Sequence, residues 1–450
     1  MMRLMLAAPA SGSGKTTMAV ALLALLKKKG LSPCAFKCGP DYIDPTFHRS
    51  VLGVECRNLD LFLSEEEQVK ALFARGCAGH GAAVCEGAMG YYDGLGGTTR
   101  ASAWHLADTL GLPTVLVVRP GGAELTLAAA LKGVAAFRSP SRVAGILLAE
   151  CSDSRAGRLG PLLEKETGLP VLGWLPPMEQ ARFPSRHLGL LMAEEVAGLS
   201  RRAEAMAEAL EARLDWERFA ALCGGGDAPA PALPQAAEAK AAIAVARDEA
   251  FCFVYQEGLE ALEQAGAALK FFSPLRDTAL PEGAGGLYLP GGYPELYAEA
   301  LGKNEAMRAA VRQAVEKGLP TVAECGGFLY LGQTLEDGEG RRWPMAGALP
   351  GEGFKTPRLV RFGYNTLTAK EDSLLLRAGE SLPAHEFHHW DSTCNGTGLT
   401  AAKADGKSWE CGFTGPGLYA AFPHLYWAGR PELARRFVQA AQSFLQNEKE

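Results

Sequence analysis

The chain has 450 residues, of which 48% are hydrophobic, so it can bury the cores of two or three domains. Its 45 basic and 51 acidic residues give a formal net charge of −6 and form no Lys/Arg block, which argues against nucleic acid as a partner. No apolar stretch is long enough to span a bilayer, and the short apolar start lacks the length and cleavage site of a secretory signal, so we expect no membrane partner.

Short apolar segments alternate with helical patterns in the first half of the chain. The predicted elements are a strand at 4–8, a helix at 18–29 and strands at 82–85, 114–118, 145–148 and 171–175. Apolar runs without polar alternation, separated by helices, are typical of a parallel sheet that is covered on both faces.

Three glycines and three prolines interrupt this pattern at 223–236. We therefore predict a first domain over 1–222, a linker over 223–240 and a second domain over 241–450. The elements predicted in the second domain are strands at 242–246, 269–272, 287–289 and 319–324 and helices at 256–265 and 303–317. Both domains are predicted to be α/β with a doubly wound parallel sheet.

The cysteines indicate a cellular compartment. There are 11 of them, an odd number, and none forms a Cys-x-x-Cys pair. Together with the nucleotide loop described next, this favours the reducing cytoplasm, with most cysteines acting as small apolar packing residues.

A glycine-rich loop lies between the first predicted strand and the first predicted helix. Its residues are Ser11, Gly12, Ser13, Gly14, Lys15, Thr16 and Thr17. Backbone N–H groups of such a loop surround phosphate oxygens, the lysine neutralises the β- and γ-phosphates, and the threonine hydroxyl binds Mg²⁺. We predict a nucleotide site here, although Pro9 replaces the first glycine of the strict pattern. The alternative is a flexible Gly/Ser loop.

Magnesium in a nucleotide site needs carboxylates beside the threonine, and two acidic turns supply candidates. Asp41 and Glu86 are the predicted ligands, because loops at the carboxyl ends of parallel strands gather around a nucleotide. Asp44 and Asp93 lie in the same turns and either bind substrate or cap those turns. Lys37 could contact a phosphate or a substrate carboxylate, whereas an exposed lysine is usually only solvated.

A second candidate site centres on Cys325, which follows an apolar strand and precedes two glycines. Backbone N–H groups at a helix start lower a thiol pKa and can hold an oxyanion. We assign Cys325 as a nucleophile for glutamine hydrolysis, with the N–H of Gly326 as one oxyanion donor and the turn of Gly291 and Gly292 as the other plausible donor. His424 is the best candidate for the general base. The competing histidines are His385, His388 and His389.

A nucleotide loop joined to a nucleophilic cysteine suggests that one substrate is activated by ATP and another is attacked covalently. Eight motifs in order add a resemblance to a known family, and they lie at 9–17, 39–45, 86–90, 184–190, 272–275, 290–295, 323–327 and 385–388. Through them nearly the whole chain resembles the cobyrinic acid a,c-diamide synthase family.

The resemblance implies a fold and a set of roles. The first domain would be a P-loop NTPase-like synthetase domain, similar to dethiobiotin synthetase and the MinD-type ATPases. The second would be a flavodoxin-like class I glutamine amidotransferase domain. Cys325 would be the nucleophile and His424 the base, with Gly292 and Gly326 around the oxyanion.

The implied function is ATP- and glutamine-dependent amidation of the a and c carboxylates of cobyrinic acid, a corrinoid acid, in cobalamin biosynthesis. The carboxylate would become an acyl phosphate, which ammonia from glutamine would convert to an amide. ATP would be a co-substrate and Mg²⁺ the cofactor, and related synthetase domains suggest a homodimer. Arg186 and His187 would grip substrate carboxylates, unless Arg186 instead binds a local backbone carbonyl.

Two departures from the family patterns bear on the sites. Class I glutaminases usually carry a glutamate two residues after the base, where this chain has Tyr426, so His424 either lacks a carboxylate partner or recruits one elsewhere. Residues 147–149 are Leu-Leu-Ala, where synthetase relatives commonly place an adenine-reading asparagine, which leaves the nucleotide base open.

Other functions remain as alternatives. The nearest are the same diamidation of hydrogenobyrinic acid or of nickel sirohydrochlorin. An alternative from a different class is a MinD-like P-loop ATPase switch. Such switches often carry a second lysine just inside the loop, where this chain has Ala10.

Overall fold

The structure is a computed structural model that describes residues 1–179, 193–225 and 238–448. The chain divides into two compact units, Met1–Leu233 and Pro234–Glu450. The division falls inside the segment predicted as a linker, 223–240. None of the helices in the described ranges combines the length and apolar character needed to cross a membrane.

A seven-stranded sheet forms the centre of the first unit. Its strands are β1 Met2–Ala7, β2 Pro33–Cys38, β3 Cys56–Leu59, β4 Ala82–Glu86, β5 Thr114–Val118, β6 Val143–Ala149 and β7 Val171–Leu175. They lie in the order β3-β2-β4-β1-β5-β6-β7, and all neighbours are parallel. All five residues of β5 are buried, as expected for a strand that is covered on both faces.

Helices cover this sheet. They are α1 Lys15–Lys28, α2 Ile43–Phe47, α3 Glu66–Cys77, α4 Ala103–Thr109, α5 Leu125–Ala136, α6 Asp153–Thr167, α7 Ala193–Glu211 and α8 Trp216–Cys223. Helix α1 packs against α7 and is largely buried, because its sequence is apolar on nearly every side. It begins at Lys15 rather than at residue 18 as predicted, since the phosphate loop turns directly into the helix at Gly14.

The second unit contains twelve strands in its described part. They are β8 Ala241–Ala246, β9 Ala267–Phe272, β10 Ala284–Leu289, β11 Thr321–Glu324, β12 Thr334–Glu336, β13 Arg342–Pro344, β14 Glu352–Ala369, β15 Ser381–Ser392, β16 Leu399–Ala402, β17 Ser408–Cys411, β18 Phe413–Gly415 and β19 Leu418–Ala421. One sheet has the order β18-β19-β11-β10-β8-β9 and is parallel except between β18 and β19. This is the parallel sheet that the sequence predicts.

A further sheet was not predicted. Its order is β13-β12-β14-β16-β17, and β15 pairs with β14. Its pairs are antiparallel except for β12 with β14. The second unit is therefore α/β with an added, mainly antiparallel layer.

Five α-helices complete the described part of the second unit. They are α9 Gln256–Gln264, α10 Ala298–Lys303, α11 Glu305–Glu316, α12 Gly326–Leu331 and α13 Pro431–Asn447. The helix predicted at 303–317 starts at Glu305, because the Asn304 side chain accepts a hydrogen bond from the Met307 N–H and caps it. The short α12 follows Cys325 directly and so places this residue at a strand-to-helix turn.

Candidate active sites

The phosphate loop of the first unit runs from the end of β1 into α1. Gly14 has a φ of 90°, and a Cβ at this position would lie 3.0 Å from the Cβ of Ala149, so both backbone angle and space favour glycine. The neighbouring Lys15 is buried, and its Nζ donates to the Met89 carbonyl oxygen at 2.5 Å. Burial lowers the pKa of Lys15, and the charge of Glu86 opposes this shift. The loop thus combines a left-handed glycine with a buried cation.

Glu86, the last residue of β4, lies at the centre of a polar cluster. Its Oε1 accepts hydrogen bonds from the Thr16 hydroxyl at 2.6 Å and from Lys37 Nζ at 2.7 Å. Lys37 also donates to Asp44 Oδ2 at 2.5 Å. Lys37 and Glu86 meet because they are register partners on the adjacent strands β2 and β4. The interpretation of Lys37 as an exposed, solvated lysine is wrong, since its side chain is buried in this cluster.

The charges of this cluster stabilise one another. Burial disfavours the Lys37 cation, but Glu86, Asp44 and Asp41 together hold its pKa well above the usual value. Burial is the largest single influence on Asp44 and opposes its ionisation, but the charge and hydrogen bond of Lys37 together with His48 and Thr16 lower the pKa of Asp44. Burial raises the pKa of Glu86, with Lys37 opposing. The cluster is therefore a buried cation flanked by carboxylates.

One oxygen of Glu86 is uncommitted. Among the described residues, the buried Oε2 has no hydrogen-bond partner. His48 Nε2 lies 4.0 Å away, and burial lowers the pKa of His48 to about 4, so this histidine is neutral at pH 7. The oxygen is thus available to a ligand.

Asp41 and Asp93 both cap turns. One oxygen of Asp41 accepts from the N–H groups of Ile43 and Asp44 at 2.8 and 3.0 Å. Asp93 Oδ2 accepts from the Gly90 N–H at 3.0 Å. The Asp93 contact corresponds to the turn-capping alternative for that residue, and the role of Asp41 as a metal ligand stays a prediction. The predicted substrate residues Arg186 and His187 lie outside the described residues.

In the second unit, Cys325 occupies the turn between β11 and α12. Its φ of 48° and ψ of −103° are uncommon for a residue with a side chain. Its N–H donates to the Ala421 carbonyl oxygen on β19 at 2.9 Å. A Cβ on Gly327 would lie 2.1 Å from the Leu289 carbonyl oxygen, so glycine lets the chain pass closely over β10. The cysteine thus lies at the carboxyl end of the sheet, where a backbone hydrogen bond connects it to β19.

His424 follows β19, and its N–H donates to the His385 carbonyl oxygen at 2.8 Å. Gly291, just beyond β10, creates the space where the histidine and the cysteine meet. A Cβ on Gly291 would lie 2.5 Å from Cε1 of His424 and 3.4 Å from Cβ of Cys325. The lack of a side chain at Gly291 therefore lets the imidazole approach the cysteine.

The competing histidines have other contacts. Nδ1 of His388 lies 2.6 Å from the Trp390 carbonyl oxygen, and its Nε2 lies 2.9 Å from Oε1 of Glu386. The His385 ring packs edge-on against two aromatic rings of β14. Among these histidines the geometry favours His424 as the base.

The two glycines predicted at the oxyanion lie side by side. A Cβ on Gly326 would lie 3.1 Å from the backbone nitrogen of Gly292. A Cβ on Gly292 would lie 2.1 Å from the Ala250 carbonyl oxygen, so neither position has room for a side chain. The Gly326 N–H also acts on the Cys325 thiol, whose pKa it lowers. Backbone donors therefore border the thiol, as an oxyanion site requires.

The resting protonation states follow from burial. Burial raises the pKa of the Cys325 thiol, Glu295 and Glu386 add to the effect, and the Gly326 N–H opposes it. Burial also lowers the pKa of His424 to about 3. At pH 7 the pair is a neutral thiol and a neutral imidazole, so nucleophilic attack requires a proton transfer between them.

Glu324 also lies in this site, although it is not among the site residues predicted from the sequence. Its Oε1 accepts from the Leu425 N–H at 3.2 Å, and its Oε2 accepts from the Tyr288 hydroxyl at 3.2 Å. Oε2 also lies 3.6 Å from Nδ1 of His424. Tyr426, which stands where class I glutaminases usually have glutamate, instead packs its ring edge-on against another tyrosine. The signal in the sequence was a charged residue at the end of an apolar strand, directly before the nucleophile.

Known protein families match both units separately. The family described as the CobQ/CobB/MinD/ParA nucleotide binding domain matches residues 4–191. The family described as the CobB/CobQ-like glutamine amidotransferase domain matches residues 242–430. These matches confirm the predicted fold class of the two domains.

Relatives match the chain over nearly its full length. Cobyrinate a,c-diamide synthase of Caldanaerobacter subterraneus subsp. tengcongensis is 37% identical over 451 residues, which cover 98% of both chains. The Gloeobacter violaceus protein of the same name is 41% identical over 441 residues, covering 97% of this chain and 96% of the relative. Hydrogenobyrinate a,c-diamide synthase of Thermobifida fusca is 38% identical over 472 residues, covering 98% of this chain and 97% of the relative. The chain therefore belongs to the cobyrinate a,c-diamide synthase family of glutamine-dependent amide ligases.

Proposed function

We propose that this protein uses ATP and glutamine to convert the a and c carboxylates of cobyrinic acid into amides. The observation that carries the proposal is the pairing, in one chain, of a phosphate loop beside Glu86 with a cysteine beside His424. The first site suits activation of an acid by phosphoryl transfer, and the second suits release of ammonia from glutamine.

In the first unit, a substrate carboxylate oxygen attacks the γ-phosphorus of ATP, and ADP leaves. The resulting acyl phosphate is needed because hydroxide is a poor leaving group, whereas phosphate is a good one. Lys15 and the N–H groups of the phosphate loop bind and orient the transferring phosphoryl group. Lys37, held by Glu86 and Asp44, places a permanent positive charge next to this loop.

The residues around Glu86 fit a magnesium ion. Thr16 and Glu86 are in direct contact, and the second Glu86 oxygen is free of hydrogen bonds within the described residues. Magnesium usually takes one or two carboxylates and completes its shell with water and phosphate oxygens, so it needs no cage of three acidic side chains. Thr16 and Glu86 would hold the ion, with Asp41 as a further candidate. When bound, Mg²⁺ neutralises charge that develops on the phosphoryl oxygens.

In the second unit, His424 takes the thiol proton and the Cys325 sulfur attacks the amide carbon of glutamine. The N–H groups of Gly292 and Gly326 stabilise the oxyanion. His424 then returns the proton to the leaving nitrogen, and ammonia departs. Water hydrolyses the thioester to glutamate and regenerates the thiol. Ammonia attacks the acyl phosphate carbon, phosphate leaves, and the amide remains, so each amide consumes one ATP and one glutamine.

Hydrogenobyrinic acid is a second candidate substrate. The hydrogenobyrinate a,c-diamide synthase of Thermobifida fusca is about as similar to this chain as the relatives named for cobyrinate are. A comparison of initial rates on the two acids, and on nickel sirohydrochlorin, distinguishes these substrates. A MinD-like ATPase switch would leave the glutamine amidotransferase domain without a role, so we do not pursue that alternative.

The test is an assay of the purified full chain with a corrinoid acid, ATP and Mg²⁺. Release of ADP, release of glutamate and the product mass should together show two amides formed for two ATP consumed. Cys325→Ala should abolish synthesis from glutamine but retain synthesis from ammonium salts. Cys394→Ala, at a half-buried cysteine, is the matched control and should retain both. The proposal fails if no tetrapyrrole acid stimulates ADP release with either nitrogen source.

The state of assembly is also a proposal. By analogy with related synthetase domains we propose a homodimer, and light scattering of the purified chain measures its mass directly.

A further inference from the structure

We propose that Glu324 is a positioning residue that orients His424 for proton transfer from Cys325. This role rests on the proposed glutaminase reaction. It gives the base a carboxylate partner from the residue directly before the nucleophile, in place of the usual glutamate two residues after the base.

The pairing of strands β11 and β19 places Glu324 next to His424. Strands β11 and β19 are parallel, and Glu324 is the register partner of Ala421. Three residues beyond Ala421 the chain reaches His424, so the Glu324 side chain spans from the end of one strand to the turn after the next. All the groups that meet there are buried, with exposed fractions of 1% for Glu324, 2% for His424 and 3% for Tyr288.

Three contacts fix the carboxylate. The Leu425 N–H holds Oε1 at 3.2 Å, and the Tyr288 hydroxyl holds Oε2 at 3.2 Å. The same Oε2 faces Nδ1 of His424 at 3.6 Å. Because Oε2 lies beside Nδ1, the proposed proton transfer assigns Nε2 to the thiol. Hydrogen bonds between catalytic groups are often long without substrate and shorten in the reacting complex.

The chemistry requires one tautomer. A neutral imidazole can accept the thiol proton at Nε2 only if its own proton is on Nδ1. An ionised Glu324 accepts a hydrogen bond from Nδ1–H and so selects that tautomer. When the proton arrives on Nε2, the imidazolium lies beside a negative charge. A protonated Glu324 would instead donate to Nδ1 and place the histidine proton on Nε2, which blocks the reaction.

A pH dependence follows. Burial raises the pKa of Glu324 to about 8, while the Leu425 N–H and the Tyr288 hydroxyl oppose the shift. The active form therefore accumulates as the pH rises toward 8. The other titratable groups of the described residues that act on this pair are Cys325 itself, Tyr288 on β10, Tyr419 on β19, and His385, Glu386 and His388 on β15.

The experiment compares glutamine hydrolysis by the full chain and three variants between pH 6 and 9. Glu324→Gln keeps the size of the side chain but cannot ionise. We expect its kcat to fall about 10- to 100-fold, with KM for glutamine nearly unchanged, because orientation and charge at a catalytic histidine act mainly on kcat. The rise of kcat toward pH 8 should disappear. Glu324→Asp should recover part of this rise, and the exposed Glu316→Gln is the matched control.

A second measurement does not depend on turnover. The rate at which iodoacetamide alkylates Cys325, followed on its own peptide by mass spectrometry, reports the thiolate fraction at each pH. In Glu324→Gln the rate at pH 7.5 should fall while ammonia-dependent synthesis persists. A glutamate that serves only to hold the fold would leave the pH profile of the surviving activity unchanged.

The outcomes separate this inference from the proposed function. Wild-type kcat and pH profile in Glu324→Gln would overturn the inference alone, provided Cys325→Ala still abolishes glutamine use. Equal profiles for Glu324→Asp and Glu324→Gln would also overturn it, since a carboxylate must behave differently from an amide. A wild-type chain that releases no glutamate from glutamine would overturn both.

Discussion

The hydroxyl of Thr16 donates to a carboxylate oxygen of Glu86 at 2.6 Å, which links the first turn of α1 to the end of β4. The two residues come from motifs 70 positions apart. They meet because β1, which leads into the phosphate loop, pairs directly with β4 in the parallel sheet. This contact lies where we propose the magnesium site, at the central strand pair of the first unit, and loss of that site should affect only the reaction that takes place there.

Replacing Glu86 by glutamine tests this assignment. Glu86→Gln keeps the shape of the side chain but removes its charge, so synthesis should fall by roughly 100-fold or more with either glutamine or ammonia, as expected when a metal-binding carboxylate is lost. Glutamine hydrolysis measured without corrinoid should be retained. The exposed Glu67→Gln in the same unit is the control. Loss of hydrolysis in Glu86→Gln together with synthesis would contradict separate sites.

Removal of the metal should also abolish synthesis while glutamine hydrolysis continues, without any mutation. Excess EDTA should stop ADP release from both nitrogen sources, because phosphoryl transfer needs the cation. Cys325 and His424 need no metal, so glutamate release should continue at its corrinoid-independent rate. Added Mg²⁺ should restore synthesis, and failure of Mg²⁺ to do so would count against the assignment of Thr16 and Glu86.

Gly291→Ala tests the space between the histidine and the cysteine. The new methyl group would lie 2.5 Å from Cε1 of His424, so the ring must move. Displacement of a catalytic group by about 1 Å lowers a rate roughly 100-fold, and we expect a loss of this size in glutaminase kcat. Ammonia-dependent synthesis should persist. Gly415→Ala, where a Cβ meets no atom within 4 Å, is the control, and an equal loss there would indicate a general packing defect.

The stability of the second unit should depend on the charge of Glu324. Its pKa rises from 4.5 to about 8 on folding because of burial. Between these values the native state holds a proton that the unfolded state has lost, so stability is full below pH 4.5 and declines as the pH rises toward 8. The stability of the Glu324→Gln variant should not decline in this pH range, because glutamine does not ionise. The stability advantage of Glu324→Gln should grow with pH and reach about 4 kcal/mol at pH 8.

Hydrogen exchange of peptides from β11 and β19 measures this difference within the second unit. The exposed Glu316→Gln should show no such trend. A Glu324→Gln chain that is less stable than wild type at pH 8 would indicate that the glutamate is an ionised structural anchor. The expected combination, greater stability with lower activity, is the usual relationship at a site shaped for catalysis.

The sequence predicted nine strands of the two parallel sheets because those strands are apolar runs, but it missed β2, β3, β18 and β19. Strands β5 and β7 begin and end where predicted, at 114–118 and 171–175. The added sheet was missed because β14 contains Pro357, Gly353 and Gly363 and its pairing with β15 is interrupted by two register shifts. Neither helical nor alternating periodicity survives such interruptions.

The residues of the candidate sites also fall into those that the sequence predicts and those that it does not. Motifs predicted the phosphate loop, Cys325 and His424, since each lies in a short run of residues that are adjacent in sequence. The burial of Lys37 and the contact of Glu324 with the histidine depend on which strands are neighbours. Strand order is set by the whole sheet, so no local pattern reveals these contacts.

The pairing of β11 with β19 has a consequence for how this enzyme can change. The hydrogen-bonded pairing of β11 with β19 positions both Cys325 and Glu324 near His424. A shift of this pairing by one residue would therefore displace the nucleophile and the carboxylate together. An insertion or deletion within either strand could therefore not be repaired by a substitution at one of the two residues. We expect natural length variation in this unit to fall outside the segments 321–325 and 418–424.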